Sequence, residues 1–334
     1  RDWRTNRVGD QFEHTTGAGT EPIGGSRVGR ERCYSRDGTR DLAQAGRGVE
    51  RGEDHTAEGD GMRYAICQEL FEGWSWAEQC RFIAEAGYTG IEVAPFTLAE
   101  RITGVTAERR RELKRVAKDH GLEIIGLHWL LAKTTGLHLT TADAGVRRAT
   151  TDYLRALADC CGDLGGTVLV FGSPLQRNLT AGTEYESGLG RAAEIFSNCA
   201  ETFAARQVTL CVEPLTPRET NFLTTCAQAQ HLVERVGSPW VRLHQDVKAM
   251  LSEAHEVPAL IREFAGKTGH FHANDSNLLG PGMGATDFAP IIRALHESGY
   301  AGWVSVEVFD YKPGAERIAR ESIAALRAAE ALLK

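Results

Sequence analysis

The chain has 334 residues, 42% of them apolar, enough to bury one large core or two modest ones. Its net charge of −7 and pI near 5.9 exclude a basic surface of the kind that binds nucleic acid or an anionic membrane, and point to a small neutral or anionic substrate. No apolar run approaches the roughly 20 residues that span a bilayer, and the N-terminus lacks a charged-then-apolar signal pattern, so the chain reads as cytoplasmic.

Residues 1–61 are rich in Gly and Arg, contain no lysine and show neither helical nor strand periodicity. They are read as a disordered extension or a start-site artefact, since all three methionines lie at or after position 62. From Met62 onward short β-favouring runs alternate with amphipathic helical patterns, the signature of βα units and a parallel sheet.

The first strand is expected at Arg63–Gln68, with a helix near Ser75–Ala86, and the second at Gly90–Ala94, with a helix that Thr106 caps and that ends near His120. The third strand, Glu123–Trp129, leads into a long loop, 130–141, before Asp143 opens a helix to about Cys161. Loops of that length in a compact domain usually serve function. The fourth strand, Thr167–Phe171, is followed by a loop at 175–186 and a helix at Leu189–Arg206. Val208–Glu213 and Val241–Asp246 follow as strands five and six, with helices at Cys226–Val236 and near Val257–Ala265. The seventh strand, His270–Asn274, runs into a glycine-rich loop and a helix that Asp287 caps. The eighth, Gly302–Glu307, precedes a closing helix at Ala315–Leu333.

Eight such units over roughly 270 residues fit a (β/α)8 TIM barrel, which typically takes about 250. A doubly wound open sheet is the alternative, but no G-x-G-x-x-G follows the first strand. The eight cysteines include no C-x-x-C pair and no zinc-ribbon spacing, and read as buried free thiols.

Four strands end in the same way. Glu213, Asp246 and Glu307 close three of them on a carboxylate, and His272 closes another on an imidazole. In a parallel barrel these ends meet on one face, so the four side chains are expected to hold a divalent metal. Taken singly, each acid is as readily a helix cap or half of a surface ion pair. Three carboxylates and one imidazole suit Mn²⁺, Mg²⁺ or Co²⁺ better than Zn²⁺, which favours sulfur. Such an ion acidifies the C–H next to a carbonyl by stabilising an enediolate, and Glu213 and Glu307 form the natural pair to abstract and return the proton.

His128 and Trp129 end the third strand and are expected to bind and wall the substrate, although a satisfied core histidine is an equal reading. Glu92 and Glu69, at the second strand and after the first, are expected to point into the same mouth. His138 in the long loop would lie on a lid. Lys248 would contact a hydroxyl or phosphate, while Asn274 and Asp275 would orient the imidazole or the loop, and Asn274 would also touch substrate. For Lys248, Arg218 and Glu219 a solvated side chain is the commoner explanation.

These stretches, Gly90-Ile-Glu92, Gly126-Leu-His-Trp129, Val212-Glu-Pro-Leu215, Asp246-Val-Lys-Ala-Met250, His272-Ala-Asn-Asp275 with Gly280-Pro-Gly282, and Val306-Glu307, resemble the xylose isomerase-like TIM-barrel superfamily of sugar isomerases and epimerases. Within it the chain looks most like the ketose 3-epimerase and hydroxypyruvate isomerase branch. The resemblance covers Met62 to the C-terminus and implies the metal set Glu213, Asp246, His272 and Glu307, with the two glutamates as acid and base. The branch often carries a histidine three residues past the strand-six aspartate and an arginine six past the strand-seven histidine; here Ala249 and Leu278 occupy those places, so sugar identity transfers less safely.

The expected function is a metal-dependent isomerase or epimerase of a sugar or sugar phosphate. Alternatives are a dehydratase or lyase acting on a keto-polyol such as an inosose, and a non-catalytic sugar-binding barrel. Cleavage at abasic DNA is disfavoured by the acidic balance. A homo-oligomer is compatible with everything above.

Overall fold

The computed structural model describes residues 61–333. The expected extension at 1–61 therefore lies outside the described residues except for its last position, and the same holds for Cys33. Eight parallel strands close into one barrel in chain order: β1 (Arg63–Cys67), β2 (Gly90–Val93), β3 (Glu123–Leu127), β4 (Val168–Phe171), β5 (Thr209–Val212), β6 (Val241–Asp246), β7 (Thr268–Ala273) and β8 (Trp303–Val306). Pairing of β1 with both β2 and β8 seals the ring, giving the (β/α)8 TIM barrel expected from the alternating pattern.

Around the ring run α1 (Trp76–Ala86), α2 (Ala107–Asp119), α3 (Ala144–Leu164), α4 (Tyr185–Arg206), α5 (Cys226–Val236), α6 (Val247–Met250), α7 (Val257–Glu263), α8 (Phe288–Glu297) and α9 (Ala315–Ala331). Side-chain caps fix several starts: Ser75 and Glu78 form a reciprocal capping box, and Thr106, Asp143 and Asp287 accept from backbone N–H groups of the first turn. α3 and α4 run longer than periodicity indicates. α6 is too short to carry a periodic signal and was not expected.

Strands such as Val168–Phe171 are buried throughout because both faces are covered. The outward residues, among them Ile66, Ile91, Leu169, Leu210 and Phe271, pack against the apolar stripes of the helices in one continuous core. The inward residues alternate with them at a period of two. Ala65 and Cys67, Cys211 and Glu213, His244 and Asp246, His270 and His272, and Ser305 and Glu307 therefore stack in layers inside the barrel. Gly126 lets β3 approach β4, since a Cβ there would overlap the Val168 carbonyl. All seven described cysteines are free and buried.

Candidate active site

Glu213 directly follows β5, Asp246 ends β6, His272 is the next-to-last residue of β7 and Glu307 directly follows β8. One donor atom from each lies within 4.8 Å of the others, and all four side chains are buried. Alternation makes this possible, because an inward residue at the carboxyl end of each neighbouring strand is delivered to the same height.

Beside this cluster opens a small cavity lined by His128, Trp129, Gly172, Glu213, Leu215, Glu219, Lys248, Glu307 and Phe309. Gly172 is there because Glu213 leans against it; a Cβ would overlap Glu213 Oε2. Trp129 has φ of 52°, the left-handed region that bulky residues avoid, and meets Phe309 edge to face at 6.3 Å.

Each ligand candidate is held from behind. Asp246 accepts from the Ala249 N–H at 2.8 Å and from Asn274 Nδ2, while Asn274 Oδ1 accepts from the Lys248 N–H at 2.7 Å. His272 lies between two acids: Nδ1 is 3.1 Å from Glu307 Oε2, and Nε2 donates to Glu92 at 3.2 Å. Glu92 also accepts from His270 Nε2 at 2.9 Å. The backbone carbonyl of Glu213 accepts from the fully buried Arg177 guanidinium, which also donates to Phe171 O and Ser173 O.

The electrostatics fit a divalent cation. Burial, and then Glu307 and Asp246, push the Glu213 carboxyl well above the usual carboxylate range. Burial pushes Asp246 up to about 6 against the pull of Lys248. Burial alone would raise Glu307, but His272 outweighs it and holds it low. His272 in turn is raised well above an ordinary imidazole because Glu92 and Glu307 overcome its burial. Three buried carboxylates around one point are thus short of positive charge, and hard oxygen donors with one imidazole suit Mn²⁺, Mg²⁺ or Co²⁺.

Not every candidate reaches the cavity. His128, Trp129 and Lys248 line it. Glu92 does not face the mouth; it sits under His272 in the barrel interior, with no exposed surface. Glu69 contacts His128 Nε2 at 2.9 Å and does not line the cavity. Asn274 braces Asp246 instead of facing substrate, and Asp275 ties the glycine loop by accepting from the N–H groups of Gly284 and Thr286. His138 does not line the cavity. Its loop is anchored by buried Leu137 and Leu139, its backbone N–H bonds Thr150 Oγ1, and its ring faces Thr140.

Several residues of the site went unrecognised in the sequence. His244 and His270 lie directly beneath the ligand layer, the His244 ring 4.3 Å from that of His272, and burial holds both neutral. Their signal was present as His-x-Asp on β6 and His-x-His on β7, two inward positions in succession. Arg177, Leu215 and Phe309 carried no comparable signal. Lys248 and Glu219 are not solvated: they form an ion pair of 2.7 Å with both side chains buried.

The family profile described as xylose isomerase-like TIM barrel matches residues 80–329. The chain is 31% identical over 188 residues to L-ribulose 3-epimerase of Mesorhizobium japonicum, covering 55% of this chain and 62%, less than two thirds, of that relative. It is 27% identical over 263 residues to D-psicose 3-epimerase of Enterocloster bolteae, covering 76% of this chain and 84% of the relative. A crystal structure of D-psicose 3-epimerase in the presence of D-fructose superposes with a TM-score of 0.72 at 22% identity, over 80% of this chain and 99% of that one, a likeness of fold. The profile spans β2 to β8 and every one of the four convergent ligand candidates, and on that ground the chain belongs to the xylose isomerase-like TIM barrel family.

Proposed function

We propose that the protein is a divalent-metal-dependent isomerase or epimerase of a small keto sugar, moving a proton at the carbon next to a carbonyl. The observation that carries this reading is the convergence of Glu213, Asp246, His272 and Glu307 at the floor of a cavity. The printed activities of the relatives, L-ribulose and D-psicose 3-epimerase, support the same class.

Glu213, Asp246, His272 and Glu307 would hold the ion, and when bound it would supply Lewis-acid polarisation of a carbonyl and make the neighbouring C–H acidic. The protein supplies the rest. Glu213 and Glu307 come from strands separated by β6 and β7, so they approach a bound sugar from different sides, one to take a proton and the other to return it. His128, held against Glu69, and Lys248, held by Glu219, present donors to hydroxyl groups. Trp129, Leu215 and Phe309 present apolar walls that exclude water from the reacting carbon.

The test is proton exchange. Ketoses incubated in D₂O with the Mn²⁺-loaded protein should gain deuterium next to the carbonyl, and Glu307→Gln should abolish the gain. No exchange with any ketose overturns the proposal. A product lighter by one water would reassign the site to a dehydratase.

A further inference from the structure

Among the described residues, a second four-donor cluster adjoins the one at the floor of the cavity. Donor atoms of Cys67, Glu69, His128 and Glu307 lie within 4.8 Å of one another, and all four residues are buried. Cys67 ends β1, Glu69 lies in the helical turn that follows it, His128 directly follows β3 and Glu307 directly follows β8. β1 pairs with both β8 and β2, and β2 with β3, so these donors lie along the arc from β8 to β3, while the first cluster lies along β5 to β8. Glu307 belongs to both clusters, and a carboxylate has two oxygens to share.

A structural cluster of buried polar groups normally satisfies its own atoms, and this one does not. Glu69 Oε2 and His128 Nε2 approach to 2.9 Å, but without the alignment of a hydrogen bond. That oxygen and both ring nitrogens of His128 are left with no hydrogen-bond partner, although His128 has no exposed surface and Glu69 is more than nine-tenths buried. The Cys67 thiol makes long contacts, 3.9 Å to Glu92 Oε2 and 3.7 Å to Ser305 Oγ. Lone pairs on sulfur, nitrogen and oxygen thus converge on one buried point with little to hold them there.

We infer that Cys67, Glu69, His128 and Glu307 form a second cation site, which takes Zn²⁺ in preference to Mn²⁺ or Mg²⁺. One thiolate, one imidazole and two carboxylates give zinc its usual count of four and the sulfur and nitrogen donors it favours, whereas the first cluster has no sulfur. On binding, the thiol proton passes to solvent and the sulfur lone pair goes to the ion. The site stands without the sugar reading. An ion there would engage His128 and Glu307, which also line the cavity, and so would compete with the roles proposed for them above.

The experiment is equilibrium dialysis of the full chain, stripped with chelator, against Mn²⁺, Zn²⁺ or Co²⁺, followed by metal analysis and an absorption spectrum. Mn²⁺ should saturate at one equivalent, and Zn²⁺ and Co²⁺ at two. The Co²⁺-loaded protein should show a sulfur-to-metal charge-transfer band. Cys67→Ser should abolish that band, weaken the second Zn²⁺ by more than about 100-fold, beyond what losing a supporting partner costs, and leave the Mn²⁺ equivalent in place. His128→Gln, an independent route should the serine variant not fold, should also remove one Zn²⁺ and keep the Mn²⁺. Wild-type saturation at a single Zn²⁺ with no sulfur band overturns the inference, and so does a folded Cys67→Ser that retains both the band and the Zn²⁺ count. Dialysis and spectrum are read without substrate, so the deuterium-exchange test can fail while this one succeeds, and the reverse.

Discussion

Glu92 offers the sharpest check on how the ligand set is held. Its carboxylate accepts from His272 Nε2 at 3.2 Å and His270 Nε2 at 2.9 Å, and His270 and His272 hold it far below the usual carboxylate range despite complete burial. Glu92→Gln leaves one acceptor oxygen for two buried N–H donors and turns an amide NH₂ towards the other. One unsatisfied buried donor costs about 1–3 kcal/mol, which is the expected loss of stability in the ion-free protein. The same change unfixes the tautomer that keeps Nδ1 of His272 free to ligate, and losses at such supporting carboxylates are on the order of 10–100-fold in metal affinity. At a given excess of Mn²⁺ the ion should then stabilise the variant by about 1.4–2.7 kcal/mol less than the wild type. Denaturant unfolding in chelator and in Mn²⁺, with a chelator-competition titration, measures both quantities. If stability falls while the affinity stays within about twofold, Glu92 fills space and does not orient His272, and the reasoning is wrong.

Gly172→Ala should drive Glu213 off the ligand cluster, weakening Mn²⁺ binding by on the order of tenfold while the ion-free melting temperature changes little. Gly126→Ala would push a methyl into the Val168 carbonyl where β3 meets β4. The expected cost is about 1–3 kcal/mol or more by chemical unfolding, and wild-type stability would refute the close approach. Asp246 is raised to about 6, so its folded form binds a proton more tightly than its unfolded form, and the ion-free protein loses stability from this group as pH rises through that value. Asp246→Asn should therefore stabilise the ion-free protein more at pH values above about 6 than near pH 4, and Mn²⁺ affinity of the wild type should fall as pH drops through about 6.

The barrel and the convergence of the four candidate ligands were legible because they rest on the two periods a parallel barrel imposes, alternation along strands and a break to polar loop at each carboxyl end. Glu213, Asp246, His272 and Glu307 satisfy both, so their convergence needed no knowledge of side-chain contacts. Glu92 satisfies the same rule and still lies beneath the mouth. Strands in a closed barrel are staggered, and β2 pairs Glu92 with Gly126, two residues short of His128, just past a register shift at Ile91. Height in the barrel is set by register, which single-strand patterns do not report. His138 lies off the cavity lining for a different reason: Leu137 and Leu139 on either side of it are buried, a tertiary effect with no periodic trace. The Lys248–Glu219 pair joins residues on different βα units, and their separate solvated readings were each reasonable until packing brought them together.

The histidines below the floor show why the ligand layer can be strongly charged and still buried. His244, neutral and without a hydrogen-bond partner on either ring nitrogen, and His270, neutral and bonded through Nε2 to Glu92, place polarisable rings where an apolar layer would leave the carboxylates facing hydrocarbon. Glu92 keeps its negative charge directly beneath His272, and Lys248 pairs with Glu219 on the cavity side. The floor is therefore anchored from beneath by one carboxylate shared between two imidazoles and bounded above by one neutralised ammonium. A doubly charged ion at the centre would relieve the repulsion among Glu213, Asp246 and Glu307 and leave ionised the two glutamates that the proposed proton transfer calls for.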